Sequence, residues 1–323
     1  MTSKNKGNLV QEKHTVALIG LGNVGFGKYL SKRENQILNH YSAITNQESL
    51  KLLVCSDKEF IGALKDPFVK NVNEINSLNV DLLVISTPTE THLEVIETFL
   101  AQNSAKIILV EKPCTNSIHE INQLNGYLAE YSKTEVLVNY HRNYNDIFID
   151  SFGDESLGKL QCGTVHYSNG ALNNASHALA LIMSSIKDVA KIKVIGSSQS
   201  QTFRDFDFIL ENNEGSRVVF LATNESLYSN FRIELDYEHG VVSYDSAKGE
   251  VQKRLSVTDP DFINRRNLES VGHVIATNER IGFQSVYNFL VTKLENKEVN
   301  PKIGVDLNFA HRIQEIFEEI SNF

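Results

Sequence analysis

The chain has 323 residues, 41% of them hydrophobic and 22% charged, enough for two medium-sized cores. Its 31 basic against 40 acidic side chains leave a formal charge of −9 with no basic block, which argues against nucleic acid or an anionic membrane as the main partner. The segment from Met1 to His14 is polar and no apolar run approaches the length of a membrane span, so a soluble cytoplasmic protein is expected.

Thr15-Val16-Ala17-Leu18-Ile19 reads as a buried strand running straight into Gly20-Leu21-Gly22-Asn23-Val24-Gly25. In that context G-x-G-x-x-G is a dinucleotide-binding turn. Its glycines permit a tight turn, close approach of main chain to a pyrophosphate, and close packing of the next helix, whose amino end holds the phosphates. Gly20, Gly22, Asn23, Val24 and Gly25 are therefore candidate cofactor contacts. A second strand, Leu52 to Cys55, runs out into Asp57, an acid placed to accept from an adenosine ribose and to repel a 2′-phosphate. That favours NAD slightly over NADP, although Ser56 and Lys58 are able to receive a phosphate. Asp57 lies further from the glycines than the usual ~20 residues, and the polar stretch Tyr29 to Glu48 is expected to be an insertion.

The third strand, Leu82 to Ile85, ends in Ser86-Thr87-Pro88-Thr89-Glu90-Thr91-His92. Thr91 with Glu94 predicts a capping box for a helix with Leu93, Ile96 and Leu100 on one face. The fourth strand, Ile107 to Val110, stops at Glu111-Lys112-Pro113, since proline cannot continue a sheet ladder. Lys112 is thereby delivered to the carboxyl end of a strand, where open α/β sheets bind ligands. Ser117 with Glu120 starts another helix, with Ile118, Ile121, Leu124 and Leu128 apolar, and Val136 to Val138 is the last strand of the alternation. Strands separated by single helices predict a doubly wound parallel sheet, a Rossmann domain over residues 1–142.

From about Leu157 the pattern changes to hairpins. Phe206, Phe208 and Leu210 alternate with polar residues, Asn212 to Gly215 turns the chain, and Val218 to Phe220 returns it. Phe231, Ile233, Leu235 and Tyr237 alternate with charged residues before the His239-Gly240 turn. Residues 143–323 are thus expected to form an α+β domain with a mainly antiparallel, open sheet that binds substrate and pairs subunits into a homo-dimer or homo-tetramer. The last helix, with Ile313, Ile316, Phe317 and Ile320 apolar, is read as packing. Cys55, Cys114 and Cys162 form neither a disulfide framework nor a zinc spacing, so no metal is expected and chemistry must come from an organic cofactor or from side chains.

Together Gly20-x-Gly22-x-x-Gly25, Thr87-Pro88-x-x-x-His92 and Glu111-Lys112-Pro113, followed by an antiparallel second half, resemble the Gfo/Idh/MocA oxidoreductases, relatives of glucose-fructose oxidoreductase and inositol dehydrogenase. Ile37 to Ala43 also resembles a branch of that family associated with surface polysaccharides and aminosugars. The resemblance implies NAD or NADP as cofactor, with Thr87, Pro88, His92 and Glu111 beside it, and a sugar or sugar-nucleotide substrate. It also implies that Lys112 is the acid/base group for hydride transfer at a CH-OH carbon. A second family element, Asp-x-Gly-x-His-x-x-Asp, matches Asn173 to Ala180. Here His177 survives, but Asn173 and Ala180 stand where the acids would be and Ala175 where the glycine would be.

At ~3.6 residues per turn His177 falls opposite the stripe Leu179, Ile182, Met183 and Ile186, together with Ala180 and Ser184. That face makes it either a solvated surface histidine or, as the resemblance implies, one that projects into the interdomain cleft, where the small neighbours leave room for a ligand. Asn139-Tyr140-His141-Arg142 resembles a segment that lines the substrate pocket, with Arg142 either clamping a carboxylate or phosphate or acting as a hinge residue. Tyr167, Asn169 and Asn173 are further substrate candidates, the first two equally readable as structural. Two other functions fit parts of the sequence: a non-catalytic dinucleotide- or sugar-binding regulator, for which the lost acids speak, and an amino-acid dehydrogenase of the homoserine type, which shares the Gly-Leu-Gly-Asn-Val-Gly turn.

Overall fold

The computed structural model describes residues 12–27, 37–199, 204–224, 226–277 and 282–322. β1 (His14–Ile19) ends at Gly20, whose φ of 91° no strand residue adopts. There follow α1 (His40–Thr45), β2 (Leu50–Ser56), the two-residue β3 (Phe68–Val69), β4 (Asn79–Ile85), α2 (His92–Leu100), β5 (Ser104–Val110), α3 (Ile118–Leu128) and β6 (Glu135–Val138). These six strands form one sheet in the order β3-β2-β1-β4-β5-β6, every pair parallel. The order reverses between β1 and β4, which is where such sheets bind ligands.

The second half runs through α4 (Asp146–Phe152), β7 (Leu160–Tyr167), α5 (Ser176–Ile186), β8 (Val189–Gln199), β9 (Arg204–Asn212), β10 (Arg217–Ala222), β11 (Phe231–Tyr237), β12 (Gly240–Asp245), β13 (Glu250–Thr258), β14 (Arg266–Leu268), β15 (His273–Ala276), α6 (Gly282–Leu294) and α7 (Leu307–Ser321). Its nine strands form a second sheet, β14-β13-β12-β11-β7-β10-β9-β8 with β15 beside β13, in which only β7 and β10 pair in parallel. The alternation read from the sequence is the alternation of its faces: Phe231, Ile233, Leu235 and Tyr237 are buried while Arg232 and Glu234 are exposed. The first hairpin turns at Asn212, whose side-chain oxygen accepts from the main-chain N–H of Glu214 (3.0 Å) and Ser216 (2.9 Å).

The parallel sheet is covered on both faces. Ala17, Ile19, Leu83, Ile85, Ile108 and Val110 pack against Ile96, Phe99, Leu100 and Leu124 of α2 and α3. Val16, Leu18, Leu82, Val84, Ile107 and Leu109 face α1 and, from the far end of the chain, Phe283, Val286, Tyr287 and Leu290 of α6. By packing, then, α6 belongs to the first core even though it lies beyond residue 142. α7 ties the halves further, its Glu318 carboxylate accepting from the Ile118 N–H at 2.6 Å.

Of the two expected helix caps, one is corrected and one holds. Thr91 does not cap α2 through its side chain; its hydroxyl donates to Pro88 O (2.7 Å) and lies 2.8 Å from Thr87 Oγ1, beside a 3₁₀ turn over Thr89–Thr91 that leads into the helix. Ser117 does cap α3, accepting from Glu120 N at 3.2 Å, but the Glu120 carboxylate accepts from Asn116 N, one residue before the cap. The insertion is also displaced. Residues 23–26 form one turn, and Val24 O and Gly25 O then accept from His40 N (3.0 Å) and Tyr41 N (2.8 Å). In an unbroken helix those carbonyls would serve residues four further on. α1 is therefore the continuation of the turn, and the extra chain enters between Gly27 and Asn39. Of the expected insertion, residues 29–36 lie outside the described residues, and its later part is α1 and the approach to β2.

Candidate active site

Each central strand of the parallel sheet continues its ladder one residue past its apolar run. Ser86 N donates to Ile19 O (2.8 Å), Glu111 N to Ile85 O (2.9 Å) and Asn139 N to Val110 O (2.8 Å). Gly20, Ser86, Glu111 and Asn139 thus stand side by side along the carboxyl edge, and the site is built on that line.

At its β1 end the turn is shaped for close approach. A Cβ on Gly20 would lie 2.6 Å from the Ser86 carbonyl carbon, and one on Gly25 would collide with the Gly20 carbonyl oxygen and stand 2.7 Å from Ser86 Oγ. The Ser86 hydroxyl occupies the gap, donating to Gly20 O at 2.9 Å. A Cβ on Gly22 would meet nothing within 4 Å. The glycines at 20 and 25 are required by the protein itself, whereas the open face at Gly22, with Asn23 and Val24 exposed beside it, is free for a ligand. Asp57 closes the groove from β2, its Oδ2 accepting from Leu21 N at 2.6 Å and Oδ1 from Glu59 N at 3.0 Å.

Next along the edge, Glu111 is largely buried and its Oε1 accepts from His40 Nε2 (3.0 Å) and from the Asn139 amide (2.5 Å). Burial pushes the Glu111 carboxyl up, but the hydrogen bond and charge of His40, the Asn139 amide and Lys112 together hold it below the usual carboxylate range. The Lys112-Pro113 peptide is cis. Lys112 is half-buried, and its Nζ donates to Asn173 O at 3.1 Å and to Asn173 Oδ1. Burial lowers its pKa to about 8; Glu111 opposes that shift and Arg142 adds to it. His177 is 6% exposed, its ring edge-on to Tyr140 (5.5 Å) and to His141 (4.9 Å), and its Nδ1 has no hydrogen-bond partner among the described residues. Burial and the neighbouring charges of Lys112, His141 and Arg142 hold it neutral.

Residues 14–140 match the profile of an oxidoreductase family with an NAD-binding Rossmann fold, GFO_IDH_MocA. Over these residues the chain is similar to that family. Three solved structures illustrate how far the likeness extends. A myo-inositol dehydrogenase from Corynebacterium glutamicum superposes with a TM-score of 0.69 at 16% identity, over 96% of each chain. A UDP-N-acetylglucosamine 3-dehydrogenase from Acidithiobacillus ferrooxidans gives 0.67 at 15%, over 95% of this chain and 96% of that one. A dehydrogenase from Chromobacterium violaceum gives 0.69 at 13%, over 96% and 95%. At such identity these establish that the fold is shared from end to end. No curated protein is significantly similar in sequence.

Against the Gfo/Idh/MocA pattern, the structure puts Asn173 in contact with the lysine amine at the place of the family's first acid. The second acid's place, Ala180, is elsewhere. α5 is buried except at Ser184 and Ser185, and it is preceded by a π-turn over Ala171–Ala175. Further along the helix than His177, Ala180 and Ser184 line a separate cavity of about 1110 Å³, with Asp154, Lys159 and Arg312, that includes neither Lys112 nor His177. The expectation that they make room for a ligand beside His177 is therefore corrected: His177 sits on an aromatic floor formed by Tyr140 and His141.

Two other residues move from contact to support. Tyr167 is fully buried, its hydroxyl donating to Phe206 O (2.7 Å) and accepting from Phe206 N (2.9 Å), so it braces the second sheet. His92 is 1% exposed, with its ring nitrogens 2.8 Å from Thr87 O and 3.0 Å from Cys114 O. It holds the Thr87–Pro88 and Pro113–Cys114 loops together and does not reach into the groove. Asn169 (φ 67°) turns the chain into the π-turn. Arg142 lies over Phe231 at 4.4 Å and Tyr244 at 5.9 Å, beside Lys112. Sequence reasoning missed His40, Tyr287 and Phe283 as neighbours of this site. The spacing of Phe283, Val286, Tyr287 and Leu290 was a usable helix signal, but nothing in it points to Glu111.

The amide at Asn173 has a measurable consequence. Asn173→Asp would set a carboxylate against the Lys112 ammonium and is expected to raise its pKa above about 8, by roughly 1 to 3 units. The acid limb of a pH–rate profile governed by the free amine would move up correspondingly. An unmoved limb in a folded variant would show that Lys112 is not the group being titrated.

Proposed function

We propose that the chain is a dehydrogenase that interconverts a CH-OH carbon of a sugar or sugar nucleotide and its carbonyl with NAD or NADP, Lys112 moving the proton. The observation that carries this reading is a half-buried lysine with a pKa near 8 at the carboxyl edge of the sheet, between the open glycine turn and His177. A nicotinamide dinucleotide, when bound, supplies the hydride acceptor. The Lys112 amine takes the hydroxyl proton in the oxidising direction and the ammonium returns it in the reducing one. Asn173 holds that amine through two oxygens and keeps its amide N–H groups for a substrate hydroxyl. Neutral His177, with Nδ1 unpartnered, has a hydrogen-bonding site to offer a polyhydroxylated ligand. The fixed Asp57 carboxylate supports NAD over NADP. That two structural neighbours bear the names of myo-inositol and UDP-N-acetylglucosamine dehydrogenases sets the choice of substrates to try.

The test is nicotinamide reduction with NAD and NADP in parallel, across free and nucleotide-linked sugars, aminosugars, sugar acids and cyclic polyols. Oxidation should rise with pH through about 8, and carbonyl reduction should fall over the same range, since one needs the free amine and the other the ammonium. Tight dinucleotide binding with no redox change on any of these substrates would replace the enzyme with a non-catalytic regulator of the same fold.

A further inference from the structure

The single turn that leaves the glycine motif, residues 23–26, is taken up again by α1, whose first residue is His40. Asn39 caps the new start, its side chain accepting from Ser42 N at 2.8 Å. This fixes the backbone of His40 directly on the carbonyl of Val24, inside the glycine turn. The imidazole is 0% exposed and bridges two parts of the chain far apart in sequence: Nε2 is 3.0 Å from Glu111 Oε1, and Nδ1 is 2.9 Å from the hydroxyl of Tyr287 on α6. Phe283 packs edge-on against its ring at 4.9 Å. An ionised carboxylate only accepts, so Nε2 carries the hydrogen toward Glu111. Burial holds the Tyr287 phenol protonated, and its hydroxyl pairs with Nδ1.

We propose that His40 is a positioning residue for Lys112: by donating to Glu111 it keeps that carboxylate ionised and aimed, and it ties the Glu111–Lys112 pair to the dinucleotide turn. This rests on Lys112 being the acid/base group. The need for such a residue is visible in the site. Asn173 places an amide where a carboxylate would stand, so the negative charge acting on Lys112 is that of Glu111. A buried carboxylate without a donor tends to take up a proton, and His40 with Asn139 prevents that. The groups facing Glu111 are His40 from α1, Lys112 from its own loop, and Tyr140, Tyr144 and Tyr287. Those facing Lys112 are Glu111 and Arg142, with His141 and His177 feeling its charge in turn. Of these, only Glu111 raises the lysine pKa.

His40→Leu therefore leaves Glu111 with the Asn139 amide as its remaining side-chain donor, favours its protonation, and weakens that support. The readout is the pH dependence of acetylation of Lys112 by acetic anhydride, followed peptide by peptide by mass spectrometry, which needs no turnover. The wild-type midpoint should lie near 8, with His40→Leu and Glu111→Gln each shifted down by roughly 1 unit. The double variant should be shifted no further than either single one. Tyr287→Phe, which deletes one oxygen and keeps the ring packing, should shift it in the same direction by less. Unmoved midpoints in folded His40→Leu, or in Tyr287→Phe if the first does not fold, would overturn the proposal. Shifted midpoints in a protein that oxidises no sugar would uphold the His40–Glu111–Lys112 linkage and remove the dehydrogenase reading instead.

Discussion

Lys112→Met is expected to lower turnover by roughly 10²- to 10⁴-fold, the usual worth of a positioned acid/base group, while leaving dinucleotide affinity nearly intact. Methionine keeps the unbranched length of the lysine stem and loses only the amine. The groups that shape the dinucleotide groove, Gly20 to Gly25, Ser86 and Asp57, make none of their hydrogen bonds to Lys112. The loss should therefore fall on kcat, with the titration of bound NADH by fluorescence close to wild type. The Lys112 hydrogen bonds that disappear are those to Asn173, which is itself half-buried and open to water or substrate, so melting temperature should change little. Turnover within a few-fold of wild type would mean that another group moves the proton. A variant that has lost dinucleotide binding as well would mean that Lys112 belongs to the cofactor groove.

Much of this arrangement was legible in the sequence because it is local. A buried strand, three glycines and the stop at Pro113 each fix the chain within a few residues, and the carboxyl edge then follows from the parallel ladder. Lys112, Asn173 and His177 were placed together by motif and do come together, the first two in direct contact. What the sequence hid is long-range. The helical count puts Ser184 on the same face as His177 but about 10 Å further along α5, where neighbours from other parts of the chain enclose a different cavity. His40 reaches Glu111 because the turn after β1 and α1 stack as one helix across the extra chain between Gly27 and Asn39, a contact without any periodicity to announce it. Tyr167 shows the opposite failure. A tyrosine at a strand end reads as polar lining, yet its hydroxyl is satisfied twice by the main chain of Phe206 inside the core.

The glycine turn allows the protein's own requirement to be separated from the ligand's, and Gly22→Ala and Gly25→Ala should differ accordingly. At Gly25 an added Cβ meets the carbonyl of Gly20 and the hydroxyl of Ser86, both held in place by the ladder between β1 and β4. The main chain there has nowhere to move without breaking the Ser86–Gly20 hydrogen bond, so Gly25→Ala should cost about 1 to 3 kcal/mol of stability and abolish dinucleotide binding with it. At Gly22 the same methyl points into space with no protein atom within 4 Å. Gly22→Ala should melt like the wild type and yet bind NAD roughly tenfold or more weakly, about 1.4 kcal/mol, because the methyl occupies the surface on which a pyrophosphate approaches the main chain. Thermal denaturation and calorimetric titration of both variants decide the matter. A Gly22→Ala protein that binds NAD normally would place the dinucleotide away from this turn, whereas loss of binding without loss of stability assigns the open face at Gly22 to the cofactor.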